Sequence, residues 1–221
     1  MNQVSKRVWL FQFFAIFAQA SVLEFQGTPV STVYASGYDV KIYGTAKLNL
    51  GEAETRDLFV TGAGIRKKKL GFLYVNVYVA ASYIDTPDGI SESDPMETIK
   101  ATRSKAMQLT LVRDLSANQI RSGFEDALDV NGVDLDMPGI KHILNEITFD
   151  MNAGSVVSII AYSAQVNGRT VDTILIETPQ KNIVASGNDL SYHFWKVWFA
   201  IPVDDGMKAL KPQLMKKPTK P

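Results

Sequence analysis

The chain has 221 residues, 46% hydrophobic and 21% charged, an ordinary globular composition that favours one domain with a sizeable core. Lysine plus arginine and aspartate plus glutamate both number 23, so the formal charge is zero and nucleic acid is excluded as a partner class. Cysteine is absent, which excludes disulfides, thiolate metal sites, a cysteine nucleophile and a lipid-modified N-terminal cysteine.

Residues 1–20 read as a secretory signal peptide. Lys6 and Arg7 precede the apolar run Val8–Ala18, and Ala18-Gln19-Ala20 offers a small-x-small cleavage site. Cleavage is expected after Ala20, with Ala35 as second choice. The apolar run is shorter than the ~20 residues that span a bilayer, so cleavage is preferred to an anchor, and no later segment is long and apolar enough to span. The expectation is an exported, soluble mature protein, periplasmic in a Gram-negative host. Residues 21–44, with Gly27, Pro29 and Gly37, read as a linker or lead-in carrying at most one strand near Tyr38–Tyr43.

The stretch Asp57–Ile84 reads as two strands joined in the Lys67–Gly71 turn region. In the second strand Leu73, Val75, Val77, Val79, Ala81 and Tyr83 alternate on one wholly apolar face, as burial requires. The other face carries Tyr74, Asn76, Tyr78, Ala80 and Ser82, half polar yet aromatic. In the first strand Arg66 follows Gly62-Ala63-Gly64-Ile65, and the two glycines allow close backbone approach and leave room over the sheet.

Thr86-Pro87-Asp88-Gly89 is a turn, and Asp94-Pro95 starts a short helix to about Ala101. Lys105–Arg113 is a strand, with Met107, Leu109 and Leu111 alternating. Ser116 and Gln119 form a capping box. The helix it opens buries Ile120, Phe124, Ala127 and Leu128 and ends at Asn131-Gly132. A further helix starts at Asp136 and Pro138, with Ile140, Ile143, Leu144 and Ile147 as its stripe. Val156–Val166 and Arg169–Glu177 form a hairpin about Asn167-Gly168, a dipeptide that tolerates the positive φ of a type I′ turn. A short strand, Asn182–Ser186, precedes a helix capped by Asn188 or Asp189 and reaching Phe199. A last helix covers about Asp205–Leu214, and residues 215–221 read as a disordered tail. Strands, helices, a hairpin and more helices, in that order, give an α+β fold with an antiparallel sheet.

The run Gly62-Ala63-Gly64-Ile65-Arg66, the strand ending Tyr78-Val79-Ala80-Ala81-Ser82-Tyr83-Ile84, and Phe194-Trp195-Lys196-Val197-Trp198-Phe199 with Ile201-Pro202 and Asp204 resemble the chalcone isomerase superfamily, in particular its bacterial chalcone-isomerase-like members. The resemblance covers roughly residues 45–214. It implies an open β-sandwich in which a large antiparallel sheet is backed by a layer of helices. It also places Arg66 on the family's key arginine and Tyr78 in the strand where fatty-acid-binding relatives hold a carboxylate with a tyrosine. In the catalytic relatives a tyrosine and an asparagine lie on the helix after the second long strand. Here those places are Ile120 and Ala127, neither of which can donate a hydrogen bond from its side chain.

Arg66 taken alone reads first as a surface charge beside Lys67, Lys68 and Lys69; the resemblance reverses this and favours a cation for a ligand carboxylate, or an electrophile for a carbonyl oxygen. Tyr78 lies twelve positions after Arg66 and is therefore not expected opposite it across a tight hairpin. Ser191 reads as an exposed helical serine, and His142 and His193 lack partners at metal-ligand spacing. The expected ligand is a small apolar carboxylate such as a fatty acid, held by Arg66, Tyr78 and Tyr74 against Ile120 and Phe124. No cofactor or metal is implied. A chalcone-type isomerase is the alternative, with Arg66 catalytic. A structural module whose cavity is filled by its own side chains is the third reading.

Overall fold

The computed structural model describes residues 21–51 and 54–218. The expected signal peptide at 1–20 lies outside the described residues, as does the end of the expected tail. One sheet runs through the molecule. Its strands are β1 (Leu23–Ala35), β2 (Tyr38–Asn49), β3 (Thr55–Leu70), β4 (Leu73–Ile84), β5 (Ser104–Leu111), β6 (Val156–Val166), β7 (Arg169–Glu177) and β8 (Asn182–Gly187). They lie side by side in chain order, every neighbouring pair antiparallel. The helices are α1 (Pro95–Ala101), α2 (Ala117–Asp129), α3 (Pro138–Glu146), α4 (Leu190–Phe199) and α5 (Asp205–Met215). This is the expected α+β architecture, an open antiparallel sheet backed by helices.

Two local signals act as their chemistry dictates, whereas the expected cap of α4 does not form: Asp189 stands at its N-terminus with a φ of 54° and makes no side-chain cap hydrogen bond. The Ser116 hydroxyl accepts from Gln119 N at 3.3 Å while the Gln119 side chain accepts from Ser116 N at 3.0 Å, so two orphan amides at the start of α2 are satisfied. Asn167 and Gly168 both adopt positive φ, 52° and 75°, as a type I′ hairpin requires. The β3–β4 loop is Gly71-Phe72, and only Gly71 has positive φ, the sign pattern of a type II′ turn.

Two cores lie on opposite faces of the sheet. The first joins strand residues such as Ala80, Met107 and Ile159 to Leu128, Ile143, Phe194, Trp198 and Leu210 of the helices. The second contains Ile42, Leu48, Leu58, Val79, Tyr83 and Ile160 and no helical residue. It closes because the sheet curls until β1 covers β4, with the Phe25 and Tyr83 rings 5.5 Å apart. Residues 21–44 are therefore no linker. They supply β1 and most of β2, and Leu23, Ala35 and Ile42 are buried. Period-2 alternation is blurred there by Pro29, where the β1–β2 register slips.

The central hairpin also differs from the sequence reading. Both faces of β4 are buried toward its C-terminal end, with Ala80 and Ile84 in one core and Val79, Ala81 and Tyr83 in the other. At its start neither face is covered, and Leu73, expected in the core, is 72% exposed. Alternation predicts which residues share a face but not how far along the strand a covering layer reaches.

Candidate ligand-binding site

A cavity of about 190 Å³ lies between the sheet and the helices, walled largely by aliphatic and aromatic side chains of β4, β5, β6, α2, α4 and α5. It is somewhat larger than the ~150 Å³ apolar cavity that accepts benzene. The structural-module reading requires this space to be filled by the protein's own side chains, and it is not.

Arg66 is one wall residue, and its side chain is 10% exposed. Its Nη2 donates to Asp204 Oδ2 at 2.6 Å, and its Nη1 donates to the Lys67 carbonyl. Asp204 Oδ1 accepts from Met207 N at 2.9 Å and so caps α5. Burial alone would raise the Asp204 carboxyl, but the Arg66 hydrogen bond and the Met207 amide outweigh it and hold the group below the usual carboxylate range. Arg66 is therefore neither a solvated turn charge nor an unpartnered cation. Two of its five N–H donors are engaged by Asp204 and the Lys67 carbonyl.

The glycines before Arg66 serve α5. A Cβ on Gly62 would strike the Gln213 carbonyl and the Leu214 backbone, and one on Gly64 the Gln213 side chain. The room over the sheet is thus taken by the protein's own C-terminal helix. Gly206 faces Lys67 in the same way. Thr61, an extra residue where the β3–β4 register shifts, donates to the Leu214 carbonyl at 2.8 Å.

Tyr78 stands directly opposite Arg66, contrary to the spacing argument. Between Asn76 and Tyr78 the register shifts by one, so Val77 is a bulged residue, and both Val77 and Tyr78 line the cavity. A single bulge thereby undoes the expected offset. The Tyr78 hydroxyl accepts from Trp198 Nε1 at 3.3 Å and lies 3.9 Å from Met207 Sδ. Burial pushes its pKa up, and the Arg66 charge and the Trp198 N–H offset only part of that, so it remains a neutral donor at pH 7.

Ile120 and Phe124 line the cavity from α2, as does Ala127. Phe124 stacks on Phe194, centroids 5.3 Å apart, and meets Trp198 edge-on. Tyr74 does not join them. It lies near the hairpin tip, 53% exposed and opposite Lys69, and forms no part of the wall. Ser191 is buried rather than exposed. It donates to Asp172 Oδ2 at 2.8 Å and lies outside the cavity lining. His142 is exposed, and no metal-binding cluster occurs among the described residues.

The sequence reading missed Arg113. It lines the cavity, and its Nε is buried without a hydrogen-bond partner among the described residues. The signal was present, because Arg113 continues the parity of Leu109 and Leu111, which face the same cavity. Among the described residues Arg66, Lys68 and Arg113 are the charged residues of the lining, and no carboxylate belongs to it.

Residues 40–210 match the family model described as chalcone isomerase-like. The chain belongs to the chalcone isomerase-like family. No curated protein matches it. The family match spans β2 to α5 and includes every cavity element, whereas β1 precedes it.

Proposed function

We propose that this chalcone isomerase-like protein is an exported, non-catalytic binder of a small apolar carboxylate such as a fatty acid. The observation that carries the reading is the charge asymmetry of the cavity: an apolar wall with three cations, of which Arg66 is paired with Asp204 and Arg113 bears an unpartnered buried Nε, and no carboxylate among the described lining residues. A buried donor left unsatisfied is costly, and an anionic headgroup would relieve it. The apolar tail would lie against Ile120 and Phe124. Export rests on the basic-apolar-small pattern of residues 1–20.

The isomerase reading retains one supporting feature. Arg66 and a neutral Tyr78 face the same cavity, an arrangement able to stabilise an enolate formed when a phenolate adds across an enone. It is the weaker reading because Ile120 and Ala127 offer no side-chain donor to orient the substrate.

Titration calorimetry with octanoate and octanol tests the binder. Octanoate is expected to bind the tighter of the two. Arg113→Gln is expected to weaken octanoate roughly 10- to 100-fold, the range of a charge-assisted hydrogen bond, with octanol nearly unaffected. Equal affinity for acid and alcohol overturns the reading. Turnover of a hydroxychalcone at about 1 per second or faster replaces it with the isomerase.

A further inference from the structure

The β3–β4 hairpin projects beyond its neighbours. β2 pairs with β3 only over Thr55–Phe59, and the chain leaving β5 reaches β4 no further than Val77, whose carbonyl accepts from Val112 N at 3.1 Å. Lys67–Asn76 therefore find their strand partners only within the hairpin. From Arg66 to Leu70 it extends roughly 13 Å at ~3.3 Å per residue.

The chemistry of this tip differs from the rest of the surface. Of the nine large hydrophobic residues that are exposed among the described residues, four are Leu70, Phe72, Leu73 and Tyr74. Phe72 is fully exposed. Lys67, Lys68 and Lys69 are exposed directly behind them, and no acidic residue occurs between Lys67 and Asn76. Asp204 and Asp205 lie at the hairpin's root, where Gly206 packs on Lys67, and Asp204 is held by Arg66. Lysines alone would serve to guard a sheet edge, but they do not require a cluster of bare apolar side chains ahead of them. Apolar residues that enter the acyl boundary, backed by cations at headgroup level, match an anionic bilayer surface. The position is informative too, because Lys68 and Leu70 belong both to the tip and to the cavity wall.

We propose that the β3–β4 tip is a membrane-docking element: Phe72 and Leu73 insert into an anionic lipid surface, Lys67–Lys69 contact its headgroups, and the cavity mouth faces the bilayer. The docking surface stands independently of what the cavity holds. Transfer of an amphiphile between cavity and bilayer rests on the proposed binding function.

Co-sedimentation with phosphatidylcholine vesicles, with and without phosphatidylserine, tests the docking. The protein is expected to sediment with the serine-containing vesicles at low salt and to be released at high salt. Changing Lys67, Lys68 and Lys69 together to Gln is expected to weaken binding about a hundredfold, since each lysine near such a surface contributes roughly fivefold. Phe72→Ser with Leu73→Ser is expected to weaken it at least tenfold. These two side chains lie outside both cores and the cavity wall, so folding, measured by thermal melt, and octanoate affinity in vesicle-free solution are expected to be unchanged. Absence of binding to anionic vesicles at low salt overturns the proposal, as does binding that either set of changes leaves intact. If the protein instead forms a dimer that Phe72→Ser dissolves, with no vesicle binding, the tip serves a second copy and the proposal is likewise overturned.

Discussion

Replacing Asp204 with Asn tests whether Arg66 serves a ligand as well as α5. The amide keeps an oxygen for the Met207 N–H, so the α5 cap survives, but the charge facing Arg66 is lost. One end of the ion pair is buried, with the Arg66 side chain 10% exposed, while the Asp204 side chain is 37% exposed. Breaking a wholly buried pair costs roughly 3–5 kcal/mol, and exposed pairs contribute about 0–1. A pair with one buried and one half-wet end falls between, at about 2 kcal/mol. For a domain of this size that lowers the melting temperature roughly 4–8 °C. Asp204→Ala also removes the cap and is expected to cost about 1 kcal/mol more. Octanoate affinity is expected to move the opposite way. Freed from Asp204, Arg66 Nη2 can donate to a ligand carboxylate while Nη1 stays on the Lys67 carbonyl, so Asp204→Asn should bind octanoate more tightly although it melts earlier. Asp205→Asn is the control. It raises the net charge equally but leaves the Arg66 partner in place, and it should change affinity little. Calorimetry and thermal melts on the three variants provide the readout. If Asp204→Asn loses stability but binds octanoate no better than Asp205→Asn, Arg66 is a structural clamp for α5 and not a ligand partner.

Two further outcomes follow from packing and from burial. Gly62→Ala places a methyl group against backbone that cannot swing aside, so it should lower stability by about 3 kcal/mol, the upper part of the usual overpacking range, or roughly 6–12 °C in a thermal melt; Gly64→Ala meets the Gln213 side chain, whose amide can swing aside but whose Cβ at 2.7 Å cannot, so it should also destabilise, and no loss at either position would refute the close approach of α5. Lys105 is buried, its Nζ donating to the Ile99 and Thr102 carbonyls at 2.9 Å, and burial lowers its pKa from 10.5 to about 8 against the attraction of Asp172 and Asp85. The unfolded chain then holds the proton more tightly, so stability should rise between about pH 8 and 10.5, by up to about 3 kcal/mol; above pH 10 the buried Tyr78 and Tyr83, whose pKa values burial raises, reverse the slope, and in urea titrations Lys105→Met should abolish the rise.

Much of the fold was legible because its signals are local. A capping box, an Asn-Gly turn and a proline at a first helical position act within a few residues, and so α1, α2 and the β6–β7 hairpin lie close to where their side chains place them. The sheet-and-helix class and the family were legible for the same reason, in alternation and in the Gly-Ala-Gly-Ile-Arg run. The candidate site was legible in composition and only partly in geometry. Parity along β4 and β5 and the stripe of α2 brought Tyr78, Ile120 and Phe124 to one cavity, and the same parity would have brought Arg113. What tertiary structure decided was set by contacts remote in sequence. One bulge at Val77 put Tyr78 opposite Arg66. The curl of the sheet turned an apparent lead-in into β1. The return of α5 over Gly62 and Gly64 gave Arg66 a carboxylate from 138 residues away. Register shifts and long-range ion pairs leave no periodic trace, because the energy that selects them resides in surfaces that meet only after the chain has folded.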